Sequence, residues 1–465
     1  MTARHLDPDR DDHAGAGTAI GTAAPRRPWK KTLAGALGKL RGTSWALLDQ
    51  CVVSAANFFT IYLFARYLGT SEFGIFALAH AGLLLLTSMQ NALLIQPHNV
   101  LGAGLAQAEY QRFTGALMLA QVIFCVVVCT VLGATGLLFA GTGSTRTGSV
   151  LMALAVSAVP WMGQEFARRV LYTRSESRAA AVNDLVTYGL QLLGAIILVS
   201  FRADRPETAL FVLGGSSLVG ALLGLWQIRS HVRFGGLGSD GGHKKTWKEV
   251  WNFGKWLMAQ NTTVWFGAQG HSWVVGILLG AEQVGLYRAT THLINIMNPL
   301  LQTAYSYLPS RGSLAYQEGG RGGLSRWIAR ASWMAPLALV PFCIVLIGFP
   351  EEVLNFAYGE KYAKPDLALL LMLATMAQCL VFLKFPFDVG LLALRSTKSI
   401  FYVYLIPVAL LLTSGVALIS FFGILGVPMS SIVISSTLLL ATYTAYRLAL
   451  KRNGTVAGQP QLKVY

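Results

Sequence analysis

Charged residues are scarce in this sequence, and their scarcity excludes an ordinary soluble fold. Asp, Glu, Lys and Arg make up only 12% of the 465 residues, whereas hydrophobic residues make up 54%. Soluble domains carry about 25% charged residues. A bilayer must therefore surround most of the chain, and we expect an all-α membrane protein.

Cofactor and nucleotide motifs are also missing. The five cysteines all lie inside apolar runs, with no C-x-x-C pair and no Cys/His cluster, so neither a disulfide framework nor a metal site is expected. No Walker A sequence occurs, which excludes ATP binding by a P-loop. The sequence thus predicts no cofactor, no metal and no catalytic residue.

The sequence also leaves little room for an enzyme. The D-x-D pairs, Asp7 with Asp9 and Asp9 with Asp11, lie only in the N-terminal tail, and the predicted outer loops are too short for a catalytic domain. An enzyme acting on a polyprenyl carrier is therefore less favoured than a transporter. A transporter without a P-loop must draw on an ion gradient, the membrane potential or the gradient of its substrate.

Twelve apolar runs divide the chain. Each is about 20 residues or longer, which is enough to cross the hydrocarbon core. Each is predicted to be a helix, because only a helix satisfies its own backbone in lipid. The runs are 44–68, 72–95, 113–139, 148–172, 180–200, 208–228, 249–279, 283–307, 331–350, 365–391, 399–421 and 424–447.

The net charge of +16 is a topology signal rather than a nucleic-acid signal, because Lys and Arg lie in short clusters between the runs. With the N-terminus inside, cytoplasmic segments and helix ends hold 29 of the 37 Lys and Arg residues, and the outer loops hold five. The positive-inside rule then places both termini in the cytoplasm. No nucleic-acid partner is expected.

Three segments lie outside the membrane runs. Residues 1–28 lack the apolar core of a signal peptide and are predicted to form a disordered cytoplasmic tail. Residues 448–465 are predicted to form a C-terminal cytoplasmic tail. In residues 29–41, Trp29, Leu33, Leu37 and Leu40 recur at helical spacing beside basic residues. That pattern is typical of an interfacial basic segment, although a plain positive flank of the first helix fits equally well.

A nine-residue pattern occurs twice. Residues 68–76, LGTSEFGIF, are matched 211 residues later by residues 279–287, LGAEQVGLY. The same offset places polar residues on polar residues inside the helices: Asp49 on Gln260, Thr60 on His271, His80 on Thr291 and Asn91 on Gln302. We therefore expect two parallel six-helix repeats, 44–228 and 249–447, around a central cavity and joined by a cytoplasmic linker at 229–248.

One face of the eighth predicted helix is polar. At 100° per residue, an arc of about 120° holds Arg288, Thr291, His292, Asn295, Asn298 and Gln302. Such a face avoids lipid, because a central charge costs about 2.5–3.5 kcal/mol to insert. Polar side chains in membrane helices also pack across helix interfaces, but six on one face favour a cavity. The second helix carries His80, Thr87 and Asn91 in the same way.

Other membrane charges leave simpler explanations open. Arg66 and Glu72 flank the first hairpin and are close enough in sequence to pair with each other. Lys384 and Asp388 are four residues apart and can neutralise each other on one helix. Four more charges are placed near cytoplasmic helix ends, where long side chains reach the interface: Glu165, Arg168, Arg169 and Asp184.

The first hairpin carries a family resemblance. A basic flank is followed by Asp49-Gln50 and Asn57-Phe58 in the first helix, and then by the segments Arg66-Tyr67-Leu68-Gly69 and Glu72-Phe73-Gly74. Together with the second copy at 279–287, this arrangement resembles the polysaccharide flippases of the multidrug/oligosaccharidyl-lipid/polysaccharide exporter superfamily. The resemblance covers about residues 41–450.

The resemblance implies a transporter in the bacterial inner membrane, with two six-helix lobes around a cavity that alternates between the two faces. Its substrate would be an oligosaccharide linked to undecaprenyl pyrophosphate. Its partners would be membrane lipids and the polysaccharide polymerase and export machinery. Family members bind the diphosphate through basic cavity residues, a role that Arg288, and more weakly Arg66 and Lys384, can fill here.

The polar stripes supply the remaining candidates. We expect His292, Asn295, Gln302, His80 and Asn91 to contribute to substrate binding, and Asp49 and Asp388 to couple transport to H⁺ or Na⁺. The alternative is a cation-coupled multidrug antiporter of the same superfamily. A cationic drug needs buried carboxylates and a pyrophosphate needs Arg or Lys, so Arg288 favours the anion.

Overall fold

The computed structural model describes residues 49–102, 104–202, 204–234, 242–394 and 396–452. These residues form twelve long helices, which are the predicted twelve. In the first half they are α1 (49–67), α2 (Thr70–Gln90, continued by a π-helical turn Asn91–Ile95 and by Gln96–Gly102), α3 (Gln107–Gly141), α4 (Thr145–Thr173), α5 (Ser177–Ser200) and α6 (Pro206–Ile228).

The second half has the same order. Helix α7 is Gly242–Leu279, and α8 begins as Ala281–His292, continues through a 3₁₀ segment Leu293–Met297 and enters the long helix Asn298–Gly348. Gly320, at φ 56° and ψ −145°, breaks that helix, so that α8 ends at 319 and α9 is 321–348. The last three are α10 (Pro365–Ala393), α11 (Thr397–Leu410, π-helical Leu411–Gly415 and Val416–Phe422) and α12 (Gly426–Arg452).

Eight helical segments are long and apolar enough to cross a membrane, and the protein is a multi-pass membrane protein. They are Thr70–Gly102, Gln107–Gly141, Thr145–Thr173, Ser177–Ser200, Pro206–His231, Leu308–Gly348, Pro365–Ala393 and Tyr402–Arg452. The helices outside this set are α1, α7 and the start of α8. The sequence places polar residues inside all three, among them Asp49 and Thr60 in α1 and Gln260 and His271 in α7. These residues lower the mean hydropathy of the helices.

The helix limits differ from the predicted ones mainly at the ends. Helix α3 starts at 107 rather than 113, and α7 starts at 242 rather than 249. The 3₁₀ segment Leu293–Met297 corrects the assumption of 100° per residue along α8, because a 3₁₀ helix turns about 120° per residue. Residues beyond Met297 therefore do not continue the arc that was calculated for Arg288 and His292.

Corresponding helices pack in the same way in both halves. Helix α4 lies between α3 and α6, and its equivalent α10 lies between α9 and α12. The two six-helix repeats are thus visible in the packing as well as in the sequence. The boundaries of the two lobes and of the linker stay a prediction. The segments 1–28, 29–41 and 453–465 lie outside the described residues.

The halves meet at the two equivalent glycines of the repeated pattern. A Cβ atom on Gly74 of α2 would lie 1.8 Å from the carbonyl oxygen of Ala281, and one on Gly285 of α8 would lie 1.9 Å from that of Thr70. Only glycine allows this approach of two backbones. The membrane face that holds this contact and the hairpin loops 68–69 and 280 is called the hairpin face below, and it is the predicted outer side.

Candidate substrate path between the two repeats

Helix α8 brings His292 against α1 at the point where the helix tightens to 3₁₀ geometry. The His292 ring stacks on Phe58 at a centroid distance of 4.8 Å. Its Nε2 lies 3.0 Å from the Phe58 carbonyl oxygen, which only accepts, so Nε2 donates. The Nδ1 atom is then free to accept from the Asn295 amide, 3.3 Å away. These contacts fix the ring orientation and the position of its proton.

The hydrogen-bond chain continues along α8. The Asn295 carbonyl oxygen accepts from the Asn298 amide at 3.2 Å, and both asparagines are exposed. The chain runs in one direction, from Asn298 through Asn295 and His292 to the backbone of α1. A polar group that bound Asn298 would therefore be connected through three side chains to the other repeat.

Three basic groups converge one turn nearer the hairpin face. Arg288 is half-buried, and in the described part of the chain no carboxylate contacts it. Its charge acts on both His292 and His80 of α2. The His80 ring is held by stacking on Phe76 at 5.7 Å and by an edge contact with Trp161 at 6.4 Å. Arg288 is thus close enough to His292 and His80 for its charge to act on both, and the binding role of the three residues stays a prediction.

The remaining stripe residues divide into two groups. Asn91 begins the π-helical turn of α2. The oxygen of its side-chain amide is buried without a hydrogen-bond partner among the described residues. The side chain of Gln302 lies outside the described part of the structure. Thr60 and His271 instead bond inside their own repeats, Thr60 to Gln191 at 3.2 Å and His271 to Ser430 at 3.2 Å.

Arg66 does not form the pair with Glu72 that the sequence left open. Glu72 pairs with Arg146. The Arg66 guanidinium donates to the Tyr62 hydroxyl at 2.7 Å and to the carbonyl oxygens of Ala357 and Phe356 at 2.9 and 3.3 Å. It binds backbone at the hairpin face, which makes it a poorer candidate for a diphosphate than Arg288.

Lys384 and Asp388 neutralise each other. They form a buried ion pair along one face of α10, and the Lys384 ammonium also lies 5.4 Å from the centre of the Tyr404 ring. Each residue thus has a counter-charge of its own. This arrangement weakens both the substrate-binding assignment of Lys384 and the ion-coupling assignment of Asp388, which stay predictions.

Asp49 belongs to a buried charge cluster that the sequence did not reveal. Its carboxylate accepts from the Tyr172 hydroxyl. Arg168 lies between the carboxylates, with Nη2 3.8 Å from Asp49, Nη1 3.0 Å from Glu165 and Nε 2.6 Å from Asp184. Asp184 has no exposed surface and Glu165 is 9% exposed, so both carboxylates are enclosed by helices, and their position near the cytoplasmic helix ends stays a prediction. The i, i+3 and i, i+4 spacing of Glu165 with two arginines was the available signal.

The cluster holds one more carboxylate than arginine. Three carboxylates, Asp49, Glu165 and Asp184, face Arg168 and Arg169, and Arg169 lies 2.7 Å from Glu165 with its side chain 37% exposed. One oxygen of Asp49 is buried and unpaired among the described residues. A buried uncompensated charge is unfavourable, so binding of a proton or a monovalent cation would balance this cluster.

The fold of twelve helices in two equivalent bundles is shared with known transporter structures. The chain is similar to a multidrug resistance MATE transporter solved in an inward-facing conformation, with 13% identity over 89% of this chain and 100% of that chain and a TM-score of 0.72. It is also similar to a MOP superfamily transporter from Pyrococcus furiosus (14% identity, 90% and 96% covered, TM-score 0.61) and to a variant of a Vibrio cholerae MATE transporter (15%, 89% and 96%, 0.62).

Residues 39–309, more than half of the chain, match the family described as polysaccharide biosynthesis protein. The chain belongs to this family. It is a multi-pass membrane protein of the polysaccharide biosynthesis family, and its fold is similar to that of the transporter structures named above. No protein of curated function matches the sequence.

Cysteine labelling tests whether the asparagine chain lines an aqueous path. In a background without the five native cysteines, Asn295→Cys and Asn298→Cys should react with a membrane-impermeant thiol reagent added to inside-out vesicles. Thr290→Cys, on the same helix but with no exposed surface, is the control and should react at least about tenfold more slowly because burial keeps the thiol protonated and inaccessible. Equal protection of all three would mean that this face of α8 is packed or meets lipid.

Proposed function

We propose that this transporter moves an oligosaccharide repeat unit, linked to undecaprenyl pyrophosphate, across the bacterial inner membrane by alternating access. Membership of the polysaccharide biosynthesis family supports a carbohydrate-related substrate. The observation that carries the proposal is the basic group formed by Arg288, His80 and His292. It lies between the repeats, where the path must pass.

An arginine between two membrane repeats needs a counter-charge. Water can solvate the guanidinium but carries no charge, and burial by the surrounding helices makes a bound anion favourable. The planar guanidinium binds a phosphate through two parallel, charge-assisted hydrogen bonds. His80 can add a ring N–H donor beside it, whereas the N–H of His292 is used by the Phe58 carbonyl oxygen. A guanidinium and a second donor suit a pyrophosphate better than a single phosphate.

The sugar portion needs different chemistry. Asn295 and Asn298 are uncharged, exposed and able both to donate and to accept. Amides of this kind suit the hydroxyl groups of an oligosaccharide. The protein would recognise the sugars through hydrogen bonds rather than through charge. The oligosaccharide would therefore lie on the side of Arg288 that is nearer the cytoplasm.

A cation-coupled multidrug antiporter is the second candidate, favoured by the likeness to MATE structures. A cationic drug would need accessible carboxylates along the path. Asp49, Glu165 and Asp184 are instead bound by Arg168 and Arg169 inside the first repeat, and Asp388 is bound by Lys384. The charge between α2 and α8 is that of Arg288, which favours the anionic substrate.

The orientation is supported by α7. This helix has 38 residues, about 57 Å at 1.5 Å per residue, so that it extends beyond the hydrocarbon core. Its N-terminal end carries exposed Trp247, Lys248 and Trp251, the combination found where helices meet the cytoplasmic headgroups. We propose cytoplasmic termini on this basis, with the polymerase and export machinery acting on the outer side.

Replacement of Arg288 tests the anion site. Arg288→Ala should insert at normal abundance and block polysaccharide export, with lipid-linked repeat units accumulating at the inner face. The lost charge-assisted hydrogen bonds are worth about 1.5–3 kcal/mol, or roughly ten- to a hundred-fold in affinity. Arg288→Lys should restore export only in part, because Lys offers a point charge.

A surface arginine serves as the matched control. Arg146→Ala removes an exposed ion pair with Glu72, and exposed pairs contribute about 0–1 kcal/mol, so export should be unchanged. Normal export by Arg288→Ala would remove the anion-binding role of Arg288. Loss of the protein from the membrane would show instead that Arg288 is needed for folding or insertion.

Replacement of Asp49 tests ion coupling. Asn keeps the acceptor for the Tyr172 hydroxyl and removes the charge, so Asp49→Asn should fold and lose the dependence of export on the proton or sodium gradient. Asp366→Asn, an exposed residue at the start of α10, is the control. Export that still responds to the gradient in Asp49→Asn would exclude Asp49 as the coupling residue.

A further inference from the structure

The hairpin face holds a contact between the repeats that transport does not yet explain. The connection between α9 and α10 forms a short helix, Pro350–Tyr358, and a 3₁₀ turn, Glu360–Tyr362. This connection belongs to the second repeat but packs on the C-terminal end of α1 in the first. The residues of this contact are Tyr62, Ala65, Arg66, Phe356, Ala357, Tyr358, Lys361 and Tyr362, and together they are called the outer latch.

Each repeat caps a helix end of the other. Arg66 of α1 donates to the carbonyl oxygens of Phe356 and Ala357, in the last turn of the short helix. In return, the Lys361 ammonium lies 3.3 Å from the carbonyl oxygen of Arg66 at the end of α1. The last carbonyls of a helix lack partners and carry partial negative charge, so both cations lie where a helix end attracts them.

Tyrosine rings reinforce the same contact. The Tyr362 hydroxyl donates to the Ala65 carbonyl oxygen at 3.2 Å. Tyr62 of the first repeat lies 5.7 Å from Tyr358, which lies 5.0 Å from Tyr362. Tyr358 is 3% exposed and Tyr362 has no exposed surface. Burial raises the pKa of Tyr362, so the hydroxyl stays a donor over the physiological range of pH.

The polar bonds of this contact can exchange for bonds to water. Apart from the tyrosine rings the contact consists of hydrogen bonds from long side chains to backbone carbonyls, and Arg66 is not locked into a carboxylate pair. If the bonds break, water at the membrane surface replaces them on Arg66, which is half-buried, and on Lys361, which is exposed. The contact of Gly74 with Gly285 in the same face instead joins backbone to backbone and has no such exchangeable side-chain bonds.

We propose that the outer latch holds the path shut at the hairpin face and opens once in each transport cycle. This proposal rests on the alternating access proposed above, but not on the identity of the substrate or on the role of Arg288. It gives Arg66 a conformational role in place of the substrate-binding role that the sequence suggested.

A removable cross-link tests whether the latch must open. In the background without native cysteines, Tyr62→Cys and Tyr358→Cys are combined and joined with a short bifunctional thiol reagent that dithiothreitol removes. Export should fall at least tenfold on cross-linking and recover on reduction. The control pair, Tyr358→Cys with Tyr362→Cys, is joined within the second repeat alone and should export at its unlinked rate.

Labelling tests whether the latch shuts the path. Arg66→Gln keeps two donors but loses the charge, and it should raise several-fold the rate at which Asn298→Cys reacts with an impermeant maleimide applied from outside the cell. Unchanged labelling, continued export by the cross-linked Tyr62/Tyr358 pair, or failure of that pair to cross-link would each overturn the proposal. Labelling needs no substrate, so this result is independent of whether a lipid-linked oligosaccharide is transported.

Discussion

A charge inside a membrane protein has to be met by an opposite charge, a helix end, water or a ligand, because lipid supplies none of these. Most membrane charges in the described part of this chain satisfy that constraint within the protein. Arg168 is bound by carboxylates, Lys384 by Asp388, and Arg66 by the end of a neighbouring helix. Arg288 is different, since no carboxylate in the described part contacts it and two histidines of the path surround it. The proposed function follows from this difference.

The proposed alternating access needs a contact between the repeats that stays in place while other contacts change. Gly74 and Gly285 bring the backbones of α2 and α8 together, and the repeated pattern places one of them in each half. On this view, rearrangement takes place around the glycine contact, with the outer latch on one side and the polar face of α8 on the other. His292 is well placed to report such movement, because its ring bonds the backbone of α1 while its other nitrogen accepts from Asn295.

The sequence predicted the twelve helices and the repeat, because apolar run length and a duplicated hairpin are local signals. It also grouped Arg288, His292 and His80, since residues on equivalent helices of a repeat meet near its axis. It failed where partners lie far apart in sequence. Arg66 reaches carbonyl oxygens about 290 residues away, and the burial of Asp184 depends on Arg168 of another helix. The 3₁₀ segment after His292 was also missed, because nothing in the residues 293–297 distinguishes it from α-helix.

Binding to the purified protein tests the charge of the path most directly. A short-chain polyprenyl pyrophosphate and the lipophilic cation tetraphenylphosphonium can be titrated into the same preparation in nanodiscs, with the corresponding polyprenyl monophosphate for comparison. A basic path predicts that the pyrophosphate binds more tightly than the monophosphate, that its affinity falls as salt is raised, and that the cation does not compete. Saturable binding of the cation without binding of the pyrophosphate would contradict the account and favour a drug antiporter.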